Sequence, residues 1–220
     1  MACCVFLRRL AFSCRWCDFQ ELFGRFAGWL STVFTCITKH LNETFGYLLV
    51  WHPHLRSYRR LHDFANAVEL QCHARVWGFL DGHFEEMSRP DHRQQDDYSG
   101  HSKGHGLKYQ AAVAPDGVVY FIEGPFEGKK NDWAMWSESR AIRRLRRMMA
   151  APRECLYLYG DPAYSCTFGV CAPYRRPTDE AEVEFNNHLS AQRISIEHAF
   201  GRSWQQWNYL ANSQQLHSGN

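Results

Sequence analysis

Between residues 76 and 207 the spacing of apolar residues switches between a strand-like and a helix-like period, in an order that few folds can accommodate. Three strand-like runs, one helical segment, a fourth strand-like run and a long helical segment follow one another, over 76–80, 107–113, 118–122, 133–149, 156–159 and 179–207. The tight-turn sequence Pro115-Asp-Gly117 joins the second run to the third. The order predicts an antiparallel meander followed by a crossover helix, which lets the fourth strand lie parallel to the first.

An aspartate follows each of the two strands that this order makes neighbours. Asp81 comes directly after the first run, and Asp161 follows the fourth run between Gly160 and Pro162. Asp-Pro by itself is typical of an ordinary strand-to-loop turn. Because a parallel pair ends at one edge of the sheet, we expect both carboxylates at the same rim. The order is that of an RNase H-like fold, so we predict an α/β protein with a mixed βββαβα sheet.

Glu197 offers a third carboxylate from the long helical segment. It lies one residue past the core position Ile196, about 100° around the helix. An exposed pair with Arg193, four residues earlier, is the alternative interpretation. Three converging carboxylates repel one another unless cations bind, and Mg²⁺ prefers oxygen ligands. Two such ions about 4 Å apart could activate an attacking water or hydroxyl and stabilise the leaving oxygen of a phosphodiester.

The first third of the chain has a helical pattern. Asp18 and Glu21 have the spacing of an N-cap and the third helical residue, and Gly24 ends this helix. A second helix carries an apolar stripe of Leu30, Val33, Phe34, Ile37 and Leu41. The two form a helix-turn-helix-like pair, although any all-helical region produces such pairs. We predict two domains: residues 1–72, helical with a connector that includes a short helix near 61–70, and residues 73–220, the sheet domain.

Charge and cysteine content narrow the class of protein. Residues 1–80 carry nine Lys/Arg and five Asp/Glu, and this small basic surplus suits either a nucleic-acid partner or an ordinary solvated surface. No uncharged run is long enough for a membrane span, and Arg8 and Arg9 interrupt the first apolar stretch. Nine cysteines without framework spacing favour reduced thiols inside the cell. Cys14 and Cys17 form a single CxxC, a weak zinc signal, and we expect structural thiols.

Four blocks of the sequence, in their order and spacing, carry a family resemblance. WGFLDGHFEEMSRP, YSGHSKGHGLKYQAAVAPDGVVYFIEGPFEGKKND, YGDPAY and QRISIEHAFGR resemble the DDE-superfamily transposases of the PIF/Harbinger type. VFLRRLAFSCRWCDFQELFGR resembles the helical region that precedes the catalytic domain in such proteins. The likeness covers most of the chain.

The resemblance implies a metal-dependent DNA endonuclease and strand transferase that uses a two-metal DDE mechanism. By motif position it assigns Asp81, Asp161 and Glu197 as the catalytic and metal-ligating residues for two Mg²⁺ or Mn²⁺ ions. It implies DNA as substrate, a separate Myb-like DNA-binding protein as partner, and a nuclear location with a cytoplasmic pool. It leaves oligomer formation open and involves no membrane. By comparison with the family, we expect the sheet domain to be truncated at its C-terminus.

The chain also departs from the family pattern. His83 stands where Thr usually follows Asp-Gly, Asn131 stands where His usually precedes Asp132, and Phe26–Trp29 replace small polar residues. The alternative function is therefore a domesticated or decayed transposase that binds DNA or protein without catalysis. The sequence leaves the roles of several other residues open. Lys108 and His105 could contact DNA or metal at the rim, and Asp132 could be a helix cap or a rim residue. The arginines of 140–147 could contact phosphates or form an ordinary solvated face.

Overall fold

The computed structural model describes residues 1–53, 57–72, 74–150 and 154–209, with the backbone alone for 70–72, 195–200 and 202–205. The helices are α1 Ala2–Ala11, α2 Trp16–Phe23, α3 Ala27–Val50, α4 Tyr58–Cys72, α5 Gln94–Asp97, α6 Asp132–Glu138, α7 Arg140–Met148 and α8 Glu180–Gln206. The strands are β1 Val76–Glu86, β2 Tyr98–Ser99, β3 Gly104–Val113, β4 Val119–Glu127, β5 Tyr157–Tyr159 and β6 Val170–Cys171.

The sheet is mixed, with β1 at its centre. β1 pairs antiparallel with β3, with Phe79 opposite Val113, and parallel with β5, with Phe79 opposite Tyr159. β3 also pairs antiparallel with β4 and, at its start, with β2, while β6 lies parallel to β5. The predicted meander and the parallel pairing of the first and fourth predicted strands are confirmed. The architecture is a mixed α/β fold consistent with an RNase H-like arrangement.

The central strand is longer than its apolar run. β1 continues to Glu86 because β3 extends to Gly104 and pairs with it as far as Glu86 opposite Gly106. Asp81 therefore lies within β1, paired with Ala111, and not just beyond the strand as predicted. The two-residue strands β2 and β6 were not predicted, since two residues carry too little pattern to be recognised.

The predicted helix over 133–149 is two helices that meet at Ser139. The Ser139 hydroxyl accepts a hydrogen bond from the Ala141 amide, which caps α7. It also donates to the Glu123 carboxylate on β4, and Glu123 Oε1 accepts from the Arg140 amide at 3.1 Å. A strand residue thus fixes the break, which the helical period of the segment does not reveal.

Side chains of β1 belong to two separate hydrophobic clusters. Leu80 joins a cluster with Trp136 of α6 and Leu145 of α7 on one face of the sheet. Phe79 joins a cluster with Tyr159 and with Leu189 of α8 on the other face. Buried residues of α4 belong to both clusters. This arrangement brings α6 and α8 to the central strand from opposite faces.

The helices at the start of the chain pack around a small core of Val5, Phe19 and Leu30. α2 begins one turn earlier than predicted: Arg15 is the N-cap, and Asp18 is the third helical residue, whose carboxylate accepts from the Arg15 amide at 3.0 Å. α3 runs on to Val50, well into the predicted connector. The helix-turn-helix-like character of the α2–α3 pair and the domain boundary near 72 stay predictions. None of the described helices has the length and apolar character of a membrane span.

Candidate active site

Asp81 lies in β1, and Asp161 lies just beyond the end of the neighbouring parallel strand β5. Phe79 of β1 is opposite Tyr159 of β5. Asp81 lies two residues after Phe79, and Asp161 lies two residues after Tyr159. The Asp81 side chain is 19% exposed, and its Oδ1 contacts Arg193 Nη1 of α8 at 3.5 Å. The same oxygen accepts from the Gly82 amide at 3.0 Å. The strand register thus brings together two of the three predicted site residues.

A tight turn holds the Asp161 carboxylate. Its Oδ1 accepts from the Ala163 amide at 3.0 Å, and its carbonyl accepts from the Tyr164 amide at 3.1 Å. Gly160 permits this turn because a Cβ there would lie 2.5 Å from the Tyr164 ring. The Asp-Pro sequence therefore makes the ordinary strand-to-loop turn and, in doing so, fixes the direction of a carboxylate.

Glu197 lies on α8, but its side chain is outside what the structure describes. Arg193, one helical turn earlier, contacts Asp81, so this part of α8 lies over β1. That contact is consistent with an approach of Glu197 to the same rim, since residues four apart share a helix face. The assignment of Glu197 to the site stays a prediction.

Asp132 is a further acidic residue at the rim, and the sequence left its role open. It is the first residue of α6, whereas Asn131 is the cap, with its Oδ1 accepting from the Ala134 amide at 2.7 Å. Freed from capping, the Asp132 carboxylate contacts Lys108 Nζ of β3 at 3.5 Å. The adjacent pair Asn131-Asp132 could have indicated in the sequence that one of the two is not needed as a cap, since one helix start needs only one cap residue.

Mutual repulsion and burial make the acids difficult to ionise. Burial raises the pKa of Asp81 to about 6, the ion pair with Arg193 opposes the rise, and the charges of Asp161 and Asp132 add to it. The pKa of Asp161 is also raised, first by burial and then by Asp132, against the hydrogen bond from Ala163. The charges of Asp161 and Asp132 therefore act on Asp81, and the charge of Asp132 acts on Asp161.

The chemistry of these side chains fits a hard divalent cation. Carboxylate oxygens are the ligands that Mg²⁺ and Mn²⁺ prefer, and a cation would relieve the repulsion that raises the pKa of Asp81. Among the side chains that the structure describes, no three His, Cys, Asp or Glu residues are grouped closely enough to hold an ion. Glu197, the predicted third ligand, is not among those side chains.

The other residues singled out in the sequence divide into rim and non-rim positions. Lys108 lies at the rim through its contact with Asp132. His105 lies at the start of β3, where its ring meets Tyr98 of β2 at 5.3 Å. His83, which replaces the usual Thr, has its Nε2 3.2 Å from Glu85 Oε2, on the same strand as Asp81.

Comparison with protein families decides the broader identity. A family model described as DDE superfamily endonuclease matches residues 80–219, a span that includes Asp81, Asp161 and Glu197. The chain belongs to the DDE superfamily of endonucleases. No curated protein and no solved structure gives a significant match. The superfamily assignment from the sequence is confirmed, and the Harbinger subtype of this DDE protein stays a prediction.

Proposed function

We propose that this DDE protein is a transposase-derived, metal-dependent endonuclease that cleaves phosphodiester bonds in DNA and transfers strands. The observation that carries the proposal is the register of β1 and β5, with Asp81 and Asp161 two residues beyond the pair Phe79–Tyr159. Membership of the superfamily supports the reaction class. The raised pKa of Asp81 supports a site suited to receive a cation's charge.

In this proposal Asp81, Asp161 and Glu197 hold two Mg²⁺ or Mn²⁺ ions. Such ions, when bound, activate a water or a DNA 3′-hydroxyl for attack and neutralise the leaving oxygen. The chain's own part is to hold the carboxylates in place. The turn at Asp161 and the pairing of β1 fix two of them before any ion binds. Arg193 adds a positive charge at the rim, which favours an approaching phosphate.

The arginines of α7 differ in whether they have a polar partner among the described residues. Arg140 contacts Glu123, and Arg144 donates to the Val50 carbonyl at 2.7 Å. Arg143 and Arg147 are exposed and form no ion pair with any residue that the structure describes. A groove beside Arg143 is lined by Trp133, the neighbour of Asp132, and by Arg143, Arg146 and Glu138. We infer that this basic face holds DNA phosphates next to the site.

Replacing Arg143 and Arg147 together with Ala should weaken binding of duplex DNA in a salt-dependent manner. Removing one phosphate-neutralising arginine should reduce the slope of log affinity against log salt by about 1, so we expect a change of about 2. Fluorescence anisotropy over a range of salt concentrations measures this slope without any chemistry. Arg140→Ala, on the same helix but paired with Glu123, is the matched control. An unchanged slope in the double variant would exclude this face from DNA binding.

A second candidate function is a DNA- or protein-binding module without turnover. The departure from the family pattern at His83, two residues from Asp81 and in contact with Glu85, favours it. Nicking of supercoiled plasmid with Mn²⁺ separates the two functions. Nicking by the purified protein supports the enzyme, whereas DNA binding without nicking supports the module.

The finer parts of the proposal rest on the family resemblance alone. They are the PIF/Harbinger type, a Myb-like partner protein and a nuclear location. A pull-down with Myb-domain proteins and imaging of the tagged full chain test the last two directly.

A further inference from the structure

We propose that Asp132 is a positioning residue of the metal site, which accepts hydrogen bonds from ion-bound water and adds negative charge beside Asp81 and Asp161. This inference rests on the proposed metal-dependent function. It assigns a fourth acidic residue, from α6, to a site that the motifs build from β1, the turn after β5, and α8. Three features of the described structure carry it.

The first feature is the close approach of Asp132 to the backbone beside Asp81. A Cβ added at Gly82 would lie 2.6 Å from Asp132 Oδ1 and 3.0 Å from its Cγ. Any other residue at 82 would therefore displace this carboxylate or the start of α6. The glycine that follows Asp81 thus makes room for a second acidic side chain, which gives the Asp-Gly pair a physical reason.

The second feature is that both the side chain and the backbone of Asp132 are held. Its Oδ1 lies 3.5 Å from Lys108 Nζ, and the Lys108 and Asp132 side chains are only 17% and 23% exposed. The Asp132 carbonyl accepts from Gln110 Nε2 at 3.3 Å, and the same amide group donates to the Tyr164 hydroxyl at 2.8 Å. These contacts give the Asp132 carboxylate a defined position at the rim.

The third feature is the distance range at which Asp132 could act on an ion. Its carboxylate lies against the backbone of Gly82, the residue next to the proposed ligand Asp81. No three described acidic side chains are grouped closely enough to ligate one ion directly. Mg²⁺ keeps several of its waters, so an acid at this range can act on the ion through them. Outer-shell partners of this kind affect metal affinity strongly.

Titration of the whole metal-free chain with Mn²⁺, followed by electron paramagnetic resonance, tests the assignment without any nuclease assay. We expect Asp132→Asn to weaken Mn²⁺ binding by about 10–100-fold. Lys108→Met should leave Mn²⁺ binding unchanged or strengthen it, because it removes a positive charge that competes with the ion. Glu138→Gln, in the same helix but paired with Lys130, should behave as wild type. Gly82→Ala should weaken binding in the same direction as Asp132→Asn.

The different responses expected of Asp132→Asn and Lys108→Met separate a role at the ion from a structural one. If Asp132 merely held Lys108 in place, Asp132→Asn and Lys108→Met would weaken Mn²⁺ binding equally, and that result would overturn the inference. Wild-type affinity in Asp132→Asn, with binding abolished in Asp81→Asn, would overturn the inference and leave the proposed function intact. Failure of the wild-type protein to bind Mn²⁺ would overturn both.

Discussion

Replacing Asp161 with Asn should abolish Mn²⁺-dependent nicking of supercoiled DNA. The loss should exceed about 100-fold, because even outer-shell partners of a metal ion cost 10–100-fold when they are replaced. Asn retains an oxygen that can accept from the Ala163 amide, which Asp161 now does at 3.0 Å. The turn is therefore expected to survive, so that the variant changes the charge of the side chain and not its position.

The assay compares initial nicking rates of wild type, Asp161→Asn and Glu184→Gln at equal concentration. Glu184 is 66% exposed and lies 3.9 Å from His188, away from the rim and from the groove beside α7, so its replacement should leave the rate unchanged. Binding of DNA in the absence of metal should be equal or tighter in Asp161→Asn, since one negative charge is removed from the rim. Equal nicking by wild type and Asp161→Asn would show that this carboxylate takes no part in the reaction.

Replacing Asp81 with Asn should stabilise the metal-free protein at neutral pH. The raised pKa of Asp81, about 6 against an ordinary value of 3.8, means that ionisation of this carboxyl opposes folding. The corresponding gain in the free energy of unfolding is about 1–3 kcal/mol, since each pKa unit corresponds to 1.36 kcal/mol. For a chain of this size the expected rise in Tm is about 2–4 °C per kcal/mol.

The pH dependence of this gain has a definite sign. Between pH 3.8 and about 6 the folded protein binds more protons at Asp81 than the unfolded chain does, so stability falls as pH rises through this window. The Asp81 contribution is therefore favourable below pH 3.8 and lost above about 6. Thermal unfolding at about pH 4.5 and about pH 7.5, on either side of the folded pKa, measures it with EDTA present. The gain from Asp81→Asn should be larger at the higher pH, and a gain that is equal at both values would contradict the electrostatic explanation.

Added Mg²⁺ should reverse the order of the two proteins. The ion binds the ionised carboxylates of the folded wild type and stabilises it by mass action, whereas Asp81→Asn lacks one of the proposed ligands. We therefore expect millimolar Mg²⁺ to raise the Tm of wild type and not that of the variant. A substitution that stabilises the apo protein and removes its response to metal would be typical of an acidic metal site.

Much of the sheet could be predicted because its pattern is local. The period-two alternation of 107–113 and the Pro115-Asp-Gly117 turn identify a hairpin, and the parallel pairing of β1 with β5 follows from the crossover helix. The extension of β1 to Glu86 could not be predicted from its own residues. It depends on pairing with Gly106, which is distant along the chain.

The site could be predicted only in part, for a similar reason. Asp81 and Asp161 each follow a short apolar run that a local pattern reveals. The position of Asp132 depends on a close approach to Gly82, which is far away along the chain, and on Asn131 acting as the helix cap. A choice between two neighbouring cap residues is a matter of small energy differences, which tertiary contacts decide.

Anomalous diffraction from crystals soaked in Mn²⁺ tests the central claim most directly, because it locates the ion and all of its ligands together. We expect manganese in contact with the carboxylates of Asp81, Asp161 and Glu197, with Asp132 reached through an ion-bound water. Glu197 on a different face of the protein, with no manganese at Asp81 and Asp161, would contradict the proposed nuclease site.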